Sequence, residues 1–150
     1  MSAACATSLT LKAASTEQRK ESPVSNRAII ATPKAPAALG PYSQAVKVGN
    51  TAWLSGQIPL DPETMAVVEG GITAQAKQAF SNLAAVAEAA GGSLNDAVKI
   101  NISLTDMQDF AAVNAVMETF CNEPYPARAC VEVAGLPKGV SVEIEAILAL

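Results

Sequence analysis

Histidine is absent from the 150 residues, arginine occurs three times, at Arg19, Arg27 and Arg128, and aromatic side chains make up 4%. Without imidazole there is no Ser-His or Cys-His nucleophile and no His-based metal centre. A serine hydrolase is excluded for want of a base, and any chemistry has to run on carboxylates, amides and guanidinium. A metal site would need clustered carboxylates, and the one close pair, Glu143 and Glu145, more simply marks one face of a strand. No metal and no cofactor are expected.

Long apolar runs are lacking too. Lys, Glu, Gln or Asp interrupts each candidate before the roughly 20 residues that span a bilayer, so a soluble protein with no membrane partner is expected. The formal net charge of -4 and the scarcity of aromatics provide neither a cationic groove nor a stacking platform, and no nucleic-acid partner is expected. Three cysteines, Cys5, Cys121 and Cys130, form an odd set without C-x-x-C spacing, which fits neither a disulfide framework nor a zinc site. That pattern belongs to a reducing compartment such as the cytoplasm.

What is present is hydrophobic material, 50% of the chain, enough for one core and too little length for two ordinary domains. Residues 1–26 are rich in Ser, Ala and Thr and have no strand or helix period. They read as a flexible extension, or as a transit peptide to a plastid or mitochondrion, a reading that Glu17 and Glu21 oppose. The domain is expected over 27–150.

Arg27–Ala31 is a short strand-like run that ends before the Pro33–Pro36 stretch. Gln44–Val48 and Thr51–Gln57 flank Gly49-Asn50, a dipeptide suited to a tight hairpin turn, and should pair antiparallel. Asp61-Pro62-Glu63-Thr64 and Gly70-Gly71 punctuate a loop or another short hairpin. Thr73 is placed to cap a helix whose apolar positions Ala76, Phe80, Leu83, Ala87 and Ala90 recur at helical spacing, with Gly91-Gly92 ending it. Val98, Ile100, Ile102 and Leu104 alternate with polar residues as in a half-buried strand. A second helix follows over about Gln108–Phe120, striped by Phe110, Val113, Met117 and Phe120.

Ala127–Ala134 alternates again. Ala127, Ala129, Val131 and Val133 face one way, and Arg128, Cys130 and Glu132 the other. Val142, Ile144, Ala146 and Leu148 define the last strand, with Glu143 and Glu145 opposite. Past Ala146 both of its faces are apolar, so it is expected to be central or covered. The order β-β-β-α-β-α-β-β, with helices serving as crossovers, predicts an α+β fold: a mixed six-stranded sheet with two helices on one face. The second face, expected to carry Arg128, Cys130 and the apolar end of the last strand, needs an oligomer to cover it.

An arginine on a rigid strand is a bidentate clamp for a small carboxylate, although on residue type alone a strand arginine is a solvent-facing ion pair, here with Glu132. Glu143 alone reads as a wet-face glutamate, Tyr42 as turn packing after Gly40-Pro41, and Cys130 as a small core residue. Asn114, on the apolar stripe with Phe110 and Met117, needs a hydrogen-bond partner, and holding a nearby loop explains it as well as touching a ligand.

Ala38-Leu39-Gly40-Pro41-Tyr42-Ser43-Gln44-Ala45, Ser55-Gly56-Gln57-Ile58-Pro59, Val113-Asn114, Pro126-Ala127-Arg128 with Cys130, and Glu143-Ile144-Glu145-Ala146 together resemble the RidA family of reactive intermediate deaminases. The resemblance runs from about Arg27 to Ala149. It implies a chorismate-mutase-like homotrimer with a barrel-like centre and sites between neighbouring subunits. The implied activity is hydrolysis of 2-imino acids, 2-iminobutanoate and 2-iminopropanoate, to 2-oxo acids and ammonia. By the same resemblance Arg128 binds the substrate carboxylate, Glu143 holds the attacking water, and Tyr42, Ser55, Gly56, Asn114 and Cys130 surround the pocket. The connection Cys121 to Tyr125 is shorter than in many members, and Ala129 stands where many carry Ser or Thr. The rival reading is a chaperone-like trimer that binds small carboxylates or client proteins without turnover. RNA cleavage, attached to relatives, is opposed by the charge balance and the missing histidine.

Overall fold

The computed structural model describes residues 26–150. The transit-peptide reading of residues 1–26 therefore lies, but for Asn26, outside the described residues. The elements run β1 (Arg27–Ile30), β2 (Ala45–Val48), β3 (Thr51–Gln57), α1 (Ile72–Ala89), β4 (Ala97–Leu104), α2 (Phe110–Met117), β5 (Ala127–Glu132) and β6 (Val142–Ala149), with short 3-10 turns at 94–96, 107–109 and 137–139. The six strands form one mixed sheet in the order β1-β2-β3-β6-β4-β5, in which only the β4–β5 pair is parallel. None of the described helices is long and apolar enough to cross a membrane.

The hairpin between β2 and β3 pairs Val48 with Thr51 across Gly49-Asn50, and Gly49 takes a φ of 57° there. That left-handed conformation is cheap for glycine and costly for residues with a β-carbon. Helix α1 buries the expected stripe: Ala76, Phe80, Leu83 and Ala87 are fully buried and pack with Val86 against β3 and β6. Each large side chain among them contributes about 1.5–3 kcal/mol relative to exposure. Its first capping residue is Gly71, not Thr73, which sits inside the first turn. At the other end the Gly92 N–H bonds back to the Ala87 carbonyl, Gly91 adopts a φ of 98°, and Lys47 Nζ reaches the Ala90 carbonyl at 3.1 Å. Cations at this helix end also complement the helix dipole.

Helix α2 packs on α1, and the Phe80 and Phe120 rings stack at 5.3 Å between centroids. It is shorter than the sequence pattern indicates, because Met107–Asp109 form a 3-10 turn before it and the regular α-helix stops at Met117. Strand β6 is central, between β3 and β4, and alternates as expected: Val142, Ile144, Ala146 and Leu148 are buried under the helices, Glu143 and Glu145 are not.

Two assignments of face change. Val98 does not join Ile100, Ile102 and Leu104; the β4–β6 register slips between Ala97 and Lys99, and the bulge leaves Val98 49% exposed. Arg128 and Cys130 pair in register with the buried Ile100 and Ile102, so they leave the sheet on the helix side, while Ala127, Ala129 and Val131 point to the uncovered face. Alternation separates the two sets of β5, but it does not say which set meets the helices. At an edge strand the helix layer is thin enough that a polar set can face it. The uncovered face does carry the apolar end of β6: Ile147 pairs with Trp53, which is 46% exposed.

Candidate active site

Arg128 is the second residue of β5, and α2 meets it at the sheet edge. Asn114 Oδ1 accepts a hydrogen bond from its Nη1, and its guanidinium carbon stands 4.9 Å from the centroid of the Phe110 ring. Phe110 and Asn114 are one turn apart on the same face of α2, which is what lets one helix supply both a flat ring and an amide oxygen. A guanidinium carries five N–H donors in a fixed fork, and this grip commits one of them while orienting the rest. Arg128 and Asn114 line a cavity of about 410 Å³ with Met117, Glu118, Tyr125 and Pro126. Glu132, the expected ion-pair partner of Arg128, instead accepts the Met107 backbone N–H at 2.7 Å.

Glu143 lies on the other side of the sheet, in a second cavity of about 560 Å³. Its lining includes Tyr42, Ser55, Gly56 and Glu145 together with the apolar Leu39, Leu60 and Met65. The β3–β6 register slips between Leu54 and Gln57, which places a bulge at Ser55-Gly56 and turns the Gly56 backbone toward Glu143. A β-carbon at position 56 would stand 2.9 Å from Glu143 Cδ and 3.0 Å from Cγ, and closer still to Oε1. Glycine is thus required for the carboxylate to lie against the strand. Burial, and secondarily the charge of Glu145, push the Glu143 carboxyl above the usual carboxylate range. That makes it a stronger base than a surface glutamate.

Ser55 is fixed at both ends: its N–H donates to the Gln44 carbonyl at 2.9 Å and its hydroxyl to the Ser43 carbonyl at 2.6 Å. Gln44 in turn is buried and ties down the Thr32–Pro36 segment through Thr32, Ala35 and Pro36. The Tyr42 ring is half exposed beside this anchored segment, available at the cavity mouth. Cys130 lines neither cavity. Burial raises its thiol pKa, against a smaller lowering by the charge of Arg128, so it is a poor nucleophile, and it packs against the core.

One chain therefore brings together Tyr42, Ser55, Gly56 and Glu143, and separately Arg128 and Asn114. It does not bring the two groups to each other. Arg128 pairs with Ile100 and Ile100 with Ala146, three residues from Glu143. Two strand spacings and three residues put the two backbones about 14 Å apart, with the side chains on opposite faces. Sequence reasoning missed Phe110 as a support for the guanidinium, though its spacing of four from Asn114 was a usable signal. It also missed the lining residues Leu60, Met65 and Lys138, which no local pattern marks, and gave no role to Leu39, which stands in the Ala38–Ala45 motif.

The sequence profile of the Endoribonuclease L-PSP family matches residues 32–150. A 2-iminobutanoate/2-iminopropanoate deaminase of Dermatophagoides farinae is 50% identical over 127 residues, covering 85% of this chain and 99% of the relative. The mouse protein of the same name is 50% identical over 121 residues, covering 81% and 90%. Among solved structures, RidA of the Antarctic bacterium Psychrobacter sp. PAMC 21119 is 62% identical, with a TM-score of 0.79 over 82% of this chain and 99% of that one. Escherichia coli TdcF, solved with bound serine, is 41% identical with a TM-score of 0.77, over 82% of this chain and 98% of that one. With the family profile matching Thr32 to Leu150 and the fold of RidA matching over 82% of the chain, the chain belongs to the Endoribonuclease L-PSP family, alongside RidA.

Proposed function

We propose that this protein hydrolyses 2-imino acids such as 2-iminobutanoate and 2-iminopropanoate to 2-oxo acids and ammonia. In this reading Arg128 anchors the substrate carboxylate and Glu143 handles the attacking water. The relatives' names point to the reaction, and one observation carries the division of labour: a gripped guanidinium and a carboxylate of raised proton affinity line two different cavities of the same chain.

Two half-sites on opposite faces become one site when copies of the chain meet, so that the Arg128 cavity of one faces the Glu143 cavity of the next. The assembly we infer is a closed homotrimer of chorismate-mutase-like form, with the uncovered sheet faces turned toward a barrel-like centre. Trp53 and Val131, at 46% and 51% exposure, and Ile147 are the apolar material such a centre would bury.

The chemistry then asks little of the protein. The protonated imine carbon is already electrophilic, so orientation supplies most of the gain. Arg128 fixes the carboxylate through parallel N–H···O bonds, with Asn114 and Phe110 fixing Arg128. Glu143 holds a water over the imine carbon and takes its proton as the C–O bond forms. Glu143 returns that proton to the nitrogen of the resulting carbinolamine, and the freed carboxylate then takes the hydroxyl proton as the C–N bond breaks, so ammonia leaves as the carbonyl forms. Tyr42 and Ser55 shape the approach, and the Gly56 backbone can face the developing tetrahedral centre at no steric cost. RNA cleavage, which the family name evokes, finds no imidazole and no net positive charge in this chain.

The test is the decay of freshly generated 2-iminobutanoate, followed against spontaneous hydrolysis. Wild type should accelerate it. Arg128→Ala and Glu143→Gln should each lose about 10²–10⁴-fold in kcat/KM while remaining folded. A folded wild-type oligomer that gives no acceleration over buffer would leave the non-catalytic carboxylate binder in its place.

A further inference from the structure

Within the described residues, two non-glycine residues have a positive φ, Met65 at 59° and Lys138 at 58°. Such a conformation is unfavourable for side chains with a β-carbon, and clustered outliers of this kind mark places where the surrounding structure imposes a shape. These two, 73 positions apart in sequence, are bonded to each other: Lys138 Nζ donates to the Met65 carbonyl at 3.3 Å. Both line the cavity that holds Glu143.

Each turn is built to be stiff by itself. The Met65 turn is closed by the Met65 N–H to the Asp61 carbonyl (2.8 Å) and the Asp61 N–H to the Ala66 carbonyl (2.9 Å). The Asp61 carboxylate also accepts the N–H groups of Glu63 and Thr64, both at 2.9 Å. The base of this turn hangs on the buried Asn82, whose amide donates to the Ile58 and Leu60 carbonyls. The turn bearing Lys138 is fixed by the buried Val140 and by the Ser141 N–H, which donates to Gln75 Oε1 at 2.8 Å. What joins these two cavity-lining turns is the Lys138 ammonium.

We propose that Lys138 is a positioning residue that holds the Met65 turn over the Glu143 cavity, so that Met65, with Leu39 and Leu60, limits the hydrocarbon group an imino acid can carry. The specificity part rests on the proposed imine hydrolysis; the clamp itself does not. In this proposal the polar lining residues take the reacting end of the substrate, and Met65, Leu39 and Leu60 meet whatever the imino carbon bears. Each turn keeps its own shape, but their mutual position rests on one hydrogen bond of an exposed lysine, so discrimination between short and branched side chains should depend on that bond.

The experiment compares wild type, Lys138→Met, which keeps length and removes the donor, Lys138→Arg, which restores a donor, and Met65→Ala. Two readouts are taken on the intact assembled protein: amide hydrogen exchange across residues 61–67, and the kcat/KM ratio for 2-iminopropanoate over a branched 2-imino acid. Lys138→Met should speed exchange in that segment and lower the ratio about three- to tenfold, the size of one lost hydrogen bond, with Lys138→Arg recovering most of both. Met65→Ala should lower the ratio in the same direction, and adding Lys138→Met to it should change little further. Unchanged exchange in folded Lys138→Met overturns the clamp whatever the activity. Faster exchange with an unchanged ratio in an active enzyme overturns the specificity role. Absence of wild-type activity refutes the proposed reaction, and the exchange data then still decide the clamp.

Discussion

The Arg128 and Glu143 regions solve the same problem, holding one ionic side chain ready, by different means. Arg128 stands on an edge strand and is aimed by side chains, the Asn114 amide and the Phe110 ring. Glu143 stands on the central strand and is aimed by backbone, the bare Gly56 of a β-bulge, with burial adjusting its proton affinity. The long, always-charged guanidinium tolerates an exposed edge and needs only orientation. A carboxylate that must bind and release a proton gains from a partly desolvated place, and a central strand beside a bulge provides one. The two regions also differ in completeness, since neither contains the other's charge. In the proposed reaction, a carboxylate-bearing substrate with a carbon to be attacked would need both.

That division is open to a direct break. Arg128→Ala and Glu143→Gln subunits, each inactive when pure, are mixed by co-expression or by denaturation and refolding together. If each site takes Arg128 from one copy and Glu143 from another, random assembly leaves about a quarter of the sites intact, and activity returns from near zero to about that fraction of wild type. Sites contained within one chain would give no return at all. The measurement is imine decay with the mixed oligomer purified by size, so that exchange of subunits is verified along with the rate.

A smaller effect separates backbone aiming from side-chain aiming. Gly56→Ala places a methyl group where the Glu143 side chain lies, and the carboxylate must swing into the cavity. Displacements of about 1 Å at a reacting group cost roughly a hundredfold, so kcat/KM should fall about that far. The cavity is open enough to accept the displaced side chain, and thermal stability should shift by no more than a few degrees. A Gly56→Ala protein with full activity would show that Glu143 does not act from the position against the strand.

Much of the frame was legible because period and punctuation are local. Gly49-Asn50, the Ala76–Ala90 stripe, and the alternation of β4 and β6 each announce their element within a few residues. Less legible was anything decided by a partner element. Whether Arg128 or Ala129 meets the helices depends on the β4–β5 register, and the bulges at Val98 and at Ser55-Gly56 depend on strands far off in sequence. The site residues themselves came from the motif resemblance: on residue type, Glu143 is indistinguishable from Glu145, its neighbour on the same face. The clamp between Lys138 and Met65 had no sequence signal, since it joins two turns whose positive φ values appear only in the folded backbone.

That neighbour offers the finest adjustment of the comparison. Glu145 follows Glu143 by two residues on the same face of β6 and lines the same cavity, held by Asn101 Nδ2 at 2.8 Å from its register partner on β4. Its negative charge opposes ionisation of Glu143, after burial, the larger cause. If Glu143 must be ionised to take a proton from water, kcat/KM falls as pH drops through its pKa, and this acid limb sits above the range of an unperturbed glutamate. Glu145→Gln removes one of the two raising causes and leaves burial, so the limb moves to lower pH without reaching the unperturbed range. The plateau rate above it falls slightly, because a weaker base accepts the proton less readily. Since Glu145 is exposed, salt should shrink the difference between the two proteins, while burial, which salt does not screen, keeps both limbs raised. An acid limb that stays in place in Glu145→Gln, at low salt and with both proteins folded, would mean that another group sets it and that the Glu143 half is not the proton acceptor.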